Sequence, residues 1–361
     1  MFEYSYLNHY YDLKRFKMFF IDKCPVMPKY EAYKIWAAWI IEQRSFYQSI
    51  DFFLPSLNQT PAPTVSVPSG LIEKPPDQLY QVLIEKGASH IQVAEFYQTI
   101  INEARLLIRA HYYLKLKYNP DVTSKIKPSV YHQQTNVVIT CQSIKHTLKK
   151  TQYYKLSTHY NGPPDEFDNR IWRMLNNYYL LDGHSYQWAI PTRVLKTIRL
   201  YLNVKAELFA SPINYQYSQY YSLFDEDRDF GSRGNFFRAP DQDFEEGVYQ
   251  VNPPFIDRVF IETIKKILIW LKKAQQVEKG LMFIFFMPGW LDSSAYRLAK
   301  EAPAFQEIRL AENQHYYYSY TENKYIRVQF ATHILVLSNF LARDWFSTNI
   351  KNNVINLFQN P

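Results

Sequence analysis

The sequence predicts an α/β protein in two parts: a helical first part, residues 1–160, and a second part, 161–345, built on an open, mostly parallel sheet. Three observations predict it. Apolar residues recur at helical spacing through the first part. Short apolar runs bounded by Gly, Pro or Asn alternate with helical stretches in the second. Between the two, Asn161-Gly-Pro-Pro-Asp165 reads as a turn.

Taken in order, Ile35, Trp36, Trp39, Ile40 and Phe46 fall near one face of a helix, so residues 1–53 are expected to be helical. Pro55, Pro61, Pro63, Pro68, Pro75 and Pro76 make 54–77 a proline-rich loop, because each fixes φ and removes a backbone donor. Helix resumes over 94–117 on Phe96, Ile100, Ile101, Leu107, Ile108 and Leu114, and the basic segment 101–155 is expected to be helical in parts. Past the turn, 170–180 and 191–203 read as helices, and 256–277 as a longer one. Val204–Ala210, Gly247–Val251, Leu281–Met287, Phe305–Leu310 and Thr332–Leu337 read as buried strands. Residues 346–361 read as a C-terminal tail. Ligands of such sheets sit beyond the carboxyl ends of the strands.

Composition narrows the functional classes. With 47% hydrophobic and 21% charged residues over 361 positions, the chain has the balance of a folded protein, not of a disordered one. Two cysteines exclude a disulfide scaffold and a four-cysteine zinc site, and the nine histidines show no ligand spacing, so no metal is expected. No apolar run reaches the roughly 18 residues of a membrane span, and no signal-peptide pattern opens the chain. An intracellular protein, cytoplasmic or nuclear, without a membrane partner is expected.

Two features point toward a site. Five of the nine glycines lie between Gly231 and Gly289, where special backbone angles or close ligand approach are therefore expected. The net charge of +7 is also uneven, since 101–155 holds ten basic residues against Glu103 and Asp121. Tyr112, Tyr113, Tyr118, Tyr131, Tyr153 and Tyr154 are interleaved with those cations. Cations beside flat aromatic faces suit the phosphates and bases of a nucleic acid; a solvated helix face is the plainer alternative.

The run Gly247–Val251 ends in Asn252-Pro-Pro-Phe255, and that tetrapeptide has a chemistry. The exocyclic amine of a nucleobase is a poor nucleophile because its lone pair is delocalised into the ring. An acceptor on each N–H holds the nitrogen towards pyramidal geometry and frees the pair for in-line attack. The Asn252 side-chain oxygen and the Pro253 carbonyl supply two such acceptors. Pro253 and Pro254 fix φ, and a residue preceding proline is pushed to extended geometry, so the carbonyl is aimed. Positioning of this kind lowers a barrier without a strong base. Phe255 offers a face for the target base.

The order of segments resembles the phosphorylated-CTD-interacting factor 1 family of cap-specific adenosine N6-methyltransferases. The matching pieces are Arg170-Ile-Trp-Arg-Met-Leu, Ala189-Ile-Pro-Thr-Arg-Val-Leu, Ala206-Glu-Leu-Phe-Ala-Ser-Pro-Ile-Asn214, Phe230-Gly-Ser-Arg-Gly234, Asn252-Pro-Pro-Phe255, Phe285-Phe-Met-Pro-Gly-Trp290 and Gln314-His-Tyr-Tyr317. The resemblance covers about 170–340. It implies a Rossmann-like class I methyltransferase domain using S-adenosylmethionine, with a helical domain before it. Phe209, Ala210, Ser211, Pro212 and Asn214 would form the cofactor-facing turn, which needs no glycine-rich loop because S-adenosylmethionine carries no phosphate. Phe230, Gly231 and Ser232 would lie near its adenosine. One of Asp225, Asp227 or Asp229 is the candidate for its ribose, with an acidic surface loop as the plain alternative.

Four more residues are candidates for the substrate. Arg233 follows the glycine turn and suits a substrate phosphate, or is a surface arginine. Trp290 suits a base or cap, or is a core tryptophan. His315 and Tyr317 are expected to line the pocket rather than merely pack, His315 with no role as a base; Ile190 and Pro191 are candidates for the cleft wall. The chain departs from the family in two places. No closely spaced tryptophan pair with a closing proline precedes the helical part, so the WW module, and with it binding to phosphorylated polymerase tails, is not expected. Gly289 stands where the family pattern carries an acidic residue. The reading is therefore an RNA N6-adenosine methyltransferase acting beside a cap, or on a near relative of that substrate, with RNA as the partner and capped mRNA one form of it. A DNA or protein-glutamine N-methyltransferase is the second reading, and a catalytically inactive RNA-binding fold the third.

Overall fold

The computed structural model describes residues 6–46, 78–117, 128–181, 188–320 and 322–361; the expected loop 54–77 lies outside them. The chain forms two compact units, one of Met1–Tyr153 with Pro163–Gly183, the other of Tyr154–Gly162 with His184–Pro361. The chain thus passes between the units after Tyr153, after Gly162 and after Gly183, instead of once at the Asn161 turn.

The first unit opens with helices α1 (Tyr6–Lys23), α2 (Lys29–Phe46), α3 (Gln78–Glu85) and α4 (His90–Lys117). The residues that predicted α2 are those it buries: Ile35, Trp36, Trp39 and Ile40. Phe20 of α1 sits 5.3 Å from Trp36, 5.1 Å from Trp39 and 5.0 Å from Phe96 of α4, an aromatic core that joins three helices.

A helical reading of 1–160 is corrected next. Residues 129–149 form an antiparallel meander of β1 (Ser129–His132), β2 (Asn136–Cys141) and β3 (Ile144–Lys149). The local reason is Val137-Val-Ile-Thr140, four β-branched residues whose restricted χ1 suits a strand, between two tight turns. Of the basic segment, Arg105, Lys145, Lys149, Lys150 and Lys155 are described, whereas Lys125, Lys127 and the side chains of 108–117 lie outside the described residues. Helix α5 (Lys150–His159) spans the division between the units, and α6 (Phe167–Leu181) returns to the first.

The second unit contains β4 (Trp188–Ala189), α7 (Thr192–Leu202), β5 (Ala206–Leu208), β6 (Gly247–Val251), α8 (Asp257–Gln276), β7 (Leu281–Pro288), α9 (Ser294–Ala299), β8 (Ala304–Leu310), β9 (Tyr316–Ser319), β10 (Lys324–Arg327), β11 (Thr332–Ser338) and α10 (Thr348–Gln359). Its main sheet has the order β5-β6-β7-β11-β8, parallel from β5 to β7, with β11 antiparallel to both neighbours. The mostly parallel sheet is therefore mixed. An apolar run buried on both faces carries no mark of its direction, which is why β11 was not separable in sequence from its neighbours. β4, β9 and β10 make a separate small sheet.

One face of the main sheet, with Leu208, Val251, Phe285 and Leu335, packs against the Phe260, Ile264, Ile267 and Leu271 stripe of α8. The other face, with Val248, Ile284 and Ile334, packs against Val194 and Ile198 of α7 and against Ile350, Val354 and Phe358 of α10. Residues 346–361 are thus no tail. Thr348–Gln359 is a helix capped by the Ser347 side chain, and its apolar face completes the core.

Past β5 the sheet continues through two one-residue parallel bridges, Glu207 with Tyr220 and Ser222 with Asn235. The chain therefore leaves β5, builds outwards twice on one side, then crosses back to lay β6 on the other. Sheet growth reverses at β5. The loops after β5 and β6 flank that switch point, where open α/β sheets leave a crevice for ligands.

Candidate functional site

The switch point brings together segments that are far apart in sequence, Leu208 and Asn252 among them. Asn252 continues the ladder beyond β6, its N–H donating to the Leu208 carbonyl at 3.3 Å, so it stands beside the end of β5. Its side chain is half-buried, and its Oδ1 is enclosed with no hydrogen-bond partner among the described residues. Native folds rarely leave a buried acceptor unpaired, and the exceptions mark places where something else binds. The following carbonyls divide the work. Pro254 accepts from the Ile256 N–H at 2.7 Å, while the Pro253 carbonyl accepts from no described residue. Two acceptors one residue apart are left for a ligand.

Phe255 is fixed from several sides. Its ring centroid lies 5.7 Å from Phe330, 6.4 Å from Tyr317 and 6.5 Å from Trp290. Trp290, after the carboxyl end of β7, also packs 5.6 Å from Phe260 and remains 39% exposed, enough to offer a face to a ring. Gly289 before it has a structural reason: a Cβ there would lie 2.7 Å from the Ala331 Cβ and 3.2 Å from the His333 Nε2. An acidic side chain at this position would need the neighbouring loop to move.

The turn after β5 holds its shape by itself. Phe209 sits at φ +70°, a strained angle for an aromatic residue, and packs 4.5 Å from Phe236 and 5.5 Å from Phe237. Ser211 and Asn214 are buried and bonded reciprocally, Ser211 N–H to Asn214 Oδ1 at 2.7 Å and Asn214 N–H to Ser211 Oγ at 3.2 Å. The Ala210 N–H donates to Tyr221, and Pro212 is buried. These side chains shape the turn.

The glycine loop is similar. A 3-10 turn ends at Gly231, φ +86°, with Phe230 buried and its carbonyl accepting from the Tyr220 hydroxyl at 2.8 Å. Ser232 Oγ accepts from the Gly234 N–H and lies 2.9 Å from Ser222 Oγ. Among the acids, Asp225 accepts from the Asn235 N–H and from Arg238, and Asp227 is buried, so neither is a free surface carboxylate. Arg233 is exposed but faces Asp243 at 3.5 Å.

His315 corrects the expectation of a pocket lining. It is fully buried, and both ring nitrogens are spent. A carbonyl only accepts, so Nδ1 carries the proton given to Ala311 at 2.9 Å, and Nε2 accepts from the Thr332 hydroxyl at 2.8 Å. Tyr317, equally buried, lies 3.3 Å from the same hydroxyl and donates to it. Burial holds the His315 pKa below its ordinary value, so the ring stays neutral. Tyr317 reaches the site only through its packing on Phe255. Ile190 and Pro191 are buried in the core.

Sequence reading passed over Glu207 and Gln250, and took Lys155 only as one of the cations of 101–155. Glu207 lies inside the three-residue buried strand β5, and burial pushes its carboxyl up to about 7, against the N–H of Gln216 that donates to it at 2.8 Å. Lys155 donates to the Tyr215 carbonyl and lies 3.3 Å over the Tyr215 ring, which stacks on Tyr220 at 4.3 Å; burial draws the amine down to about 8. A carboxylate inside a short apolar strand was a legible signal for Glu207; nothing local marked Lys155. No cluster of three metal-ligating side chains occurs among the described residues, and no described helix is long and apolar enough to cross a membrane.

Comparison with known proteins bears on the same segments. The family profile of the phosphorylated CTD interacting factor 1 WW domain matches residues 149–320. Despite the module named in that description, the matched stretch runs from the last residue of β3 through β9. A mouse mRNA (2'-O-methyladenosine-N(6)-)-methyltransferase is 32% identical over 135 residues, which cover 35% of this chain and 18% of the mouse protein. The human protein of the same description is 29% identical over 188 residues, covering 47% of this chain and 25% of the human one. The match thus spans a quarter or less of the length of those relatives.

Proposed function

We propose that the chain, which resembles the phosphorylated CTD interacting factor 1 family over residues 149–320, is a member of it and an S-adenosylmethionine-dependent RNA N6-adenosine methyltransferase acting on the nucleotide beside an mRNA cap. The observation that carries this reading is the unpartnered Asn252 Oδ1 beside the free Pro253 carbonyl at the switch point. A nucleobase amine has two N–H groups and needs two acceptors.

In this reading the domain is Rossmann-like, supported by the parallel β5-β6-β7 core and the reversal of sheet growth at β5. The turn 209–214 and the loop 230–232 would hold the methyl donor, largely through backbone groups, because their side chains are engaged with each other. When bound, S-adenosylmethionine supplies an electrophilic methyl on a sulfonium. The unpaired Asn252 oxygen and the aromatic walls fit such a group, since neither adds a fixed charge that would repel the cation.

The chain's own part is positional. Asn252 Oδ1 and the Pro253 carbonyl each accept one N–H of the adenine amine, holding its lone pair towards the donor. Phe255 and Trp290 stack the base and exclude water. The methylated amine sheds its proton readily, so no base is required, in keeping with His315 being closed off. A terminal nucleotide is already unstacked on one side, which reduces the few kcal/mol that extruding a base costs.

The test supplies labelled S-adenosylmethionine with capped A-start RNA, capped G-start RNA, uncapped RNA and duplex DNA. Label confined to capped A-start RNA is the expected result. Label in DNA or in internal adenines would move the assignment to another substrate, and no label together with no donor binding would leave an inactive fold.

A further inference from the structure

Asn252 is not the only unpaired amide on its strand. Gln250, two residues earlier, has no exposure at all, and neither its Oε1 nor its Nε2 has a partner among the described residues. Successive strand side chains alternate between faces, so Gln250 and Asn252 share one. In the parallel register Gln250 stands between Glu207 of β5 and Ile284 of β7. Ile284 offers no polar atom. The polar side chains next to Gln250 along the sheet are thus Glu207, its partner in register, and Asn252, two residues ahead.

An asparagine amide has two ends of nearly equal size, an acceptor and a donor. Only the oxygen is useful to a substrate N–H, and a turn about χ2 would present the NH2 group instead. Nothing in the proline-rich backbone governs that choice. A fixed acceptor beneath the NH2 group does.

We propose that Gln250 is a positioning residue for Asn252: its Oε1 accepts from the Asn252 Nδ2–H when the substrate is bound, while its own Nε2–H donates to the Glu207 carboxyl. The row Asn252, Gln250, Glu207 then runs donor to acceptor in one direction and ends on a group that the backbone N–H of Gln216 already anchors. The oxygen of Asn252 is left facing the target amine. Gln250 touches no substrate. The inference rests on the role given to Asn252 above and names what holds that residue in its working orientation.

The test compares the full chain with Asn252→Ala, Gln250→Leu and Gln250→Glu. Methyl transfer to capped A-start RNA is measured at pH 6.5, with donor affinity by calorimetry. Gln250→Leu should lower kcat about 10- to 100-fold, the usual loss for a misplaced group, and leave the RNA KM and donor affinity within about twofold. Gln250→Glu should recover most of kcat. A buried carboxyl beside Glu207 stays protonated at that pH and offers C=O and O–H in place of C=O and N–H. If Asn252→Ala is inactive but Gln250→Leu turns over like the parent, the positioning role is wrong while the proposed function stands. Equal damage in both Gln250 variants, with donor affinity lost in step, would make Gln250 a packing residue and overturn the proposal. Wild-type turnover in Asn252→Ala would remove both readings.

Discussion

Asn252 follows β6 and His315 follows β8, two strands of the same sheet, and both side chains are polar. They are opposite in one respect. His315, Thr332 and Tyr317 form a closed chain in which every donor meets an acceptor, ending on the Ala311 carbonyl. Around Asn252 the chain stays open, with Asn252 Oδ1 and both atoms of the Gln250 amide unpaired. A satisfied network belongs to the scaffold; an unsatisfied one keeps capacity for a ligand. The pairing of their polar atoms distinguishes these two positions where residue type alone does not.

The sharpest way to break this contrast is Asn252→Ala. It should reduce methyl transfer by about 10²- to 10³-fold, the order seen when a transition-state hydrogen-bond partner is lost, with donor affinity nearly unchanged. Because the native oxygen makes no internal bond, thermal stability should hold or rise slightly. Loss of folding in this variant would place Asn252 in the scaffold.

The pH dependence of stability tests Glu207, the far end of the open row. Its folded pKa, about 7, lies above that of an ordinary carboxyl, so the folded state keeps a proton that the unfolded chain releases. Stability should therefore fall as pH rises from about 4.5 to 7, by up to about 3 kcal/mol. Lys155 acts in the opposite sense. Its folded pKa, about 8, lies below the ordinary value, so stability should climb again between about pH 8 and 10.5. Urea titrations across this range should show the trough, and Glu207→Gln should remove its acidic limb.

The closed chain predicts the reverse of Asn252. His315→Leu strands the Thr332 hydroxyl and the Ala311 carbonyl, and should cost about 2–3 kcal/mol in denaturant unfolding. The kcat of the folded fraction should stay within a factor of about three; a selective loss of kcat would return His315 to the site. The smallest effect is expected at Trp290, whose face is open. Trp290→Ala should raise the RNA KM about tenfold, consistent with roughly 1–3 kcal/mol for one stacked base, and leave stability almost unaltered.

Much of the second unit was legible because its strands are short, uniformly apolar and punctuated. Gly247–Val251 is observed with the expected bounds, and Leu281–Met287 and Thr332–Leu337 each extend by one residue. The meander at 129–149 was missed because its polar positions and scattered cations hide the alternation of strands. The helix at 348–359 was missed because Ile350, Val354 and Phe358 are sparse apolar marks in a polar run, and they matter only against the sheet they cover. At the site, Asn252-Pro-Pro-Phe255 stood out because two prolines restrict the backbone locally. His315 was misjudged, since a histidine near a strand end reads the same whether its nitrogens are free or bonded.

From its residues alone, the chain determined most strands of the main sheet and where a stiff acceptor-bearing tetrapeptide lies, because propensity, apolar spacing and proline geometry act over a few neighbouring positions. Tertiary structure alone decided that β5 and β6 are adjacent, that growth of the sheet reverses there, and which buried polar atoms are left without partners. Those outcomes depend on pairings between residues tens of positions apart. A hydrogen bond made or left unmade at such a distance leaves no trace in the local order of side chains.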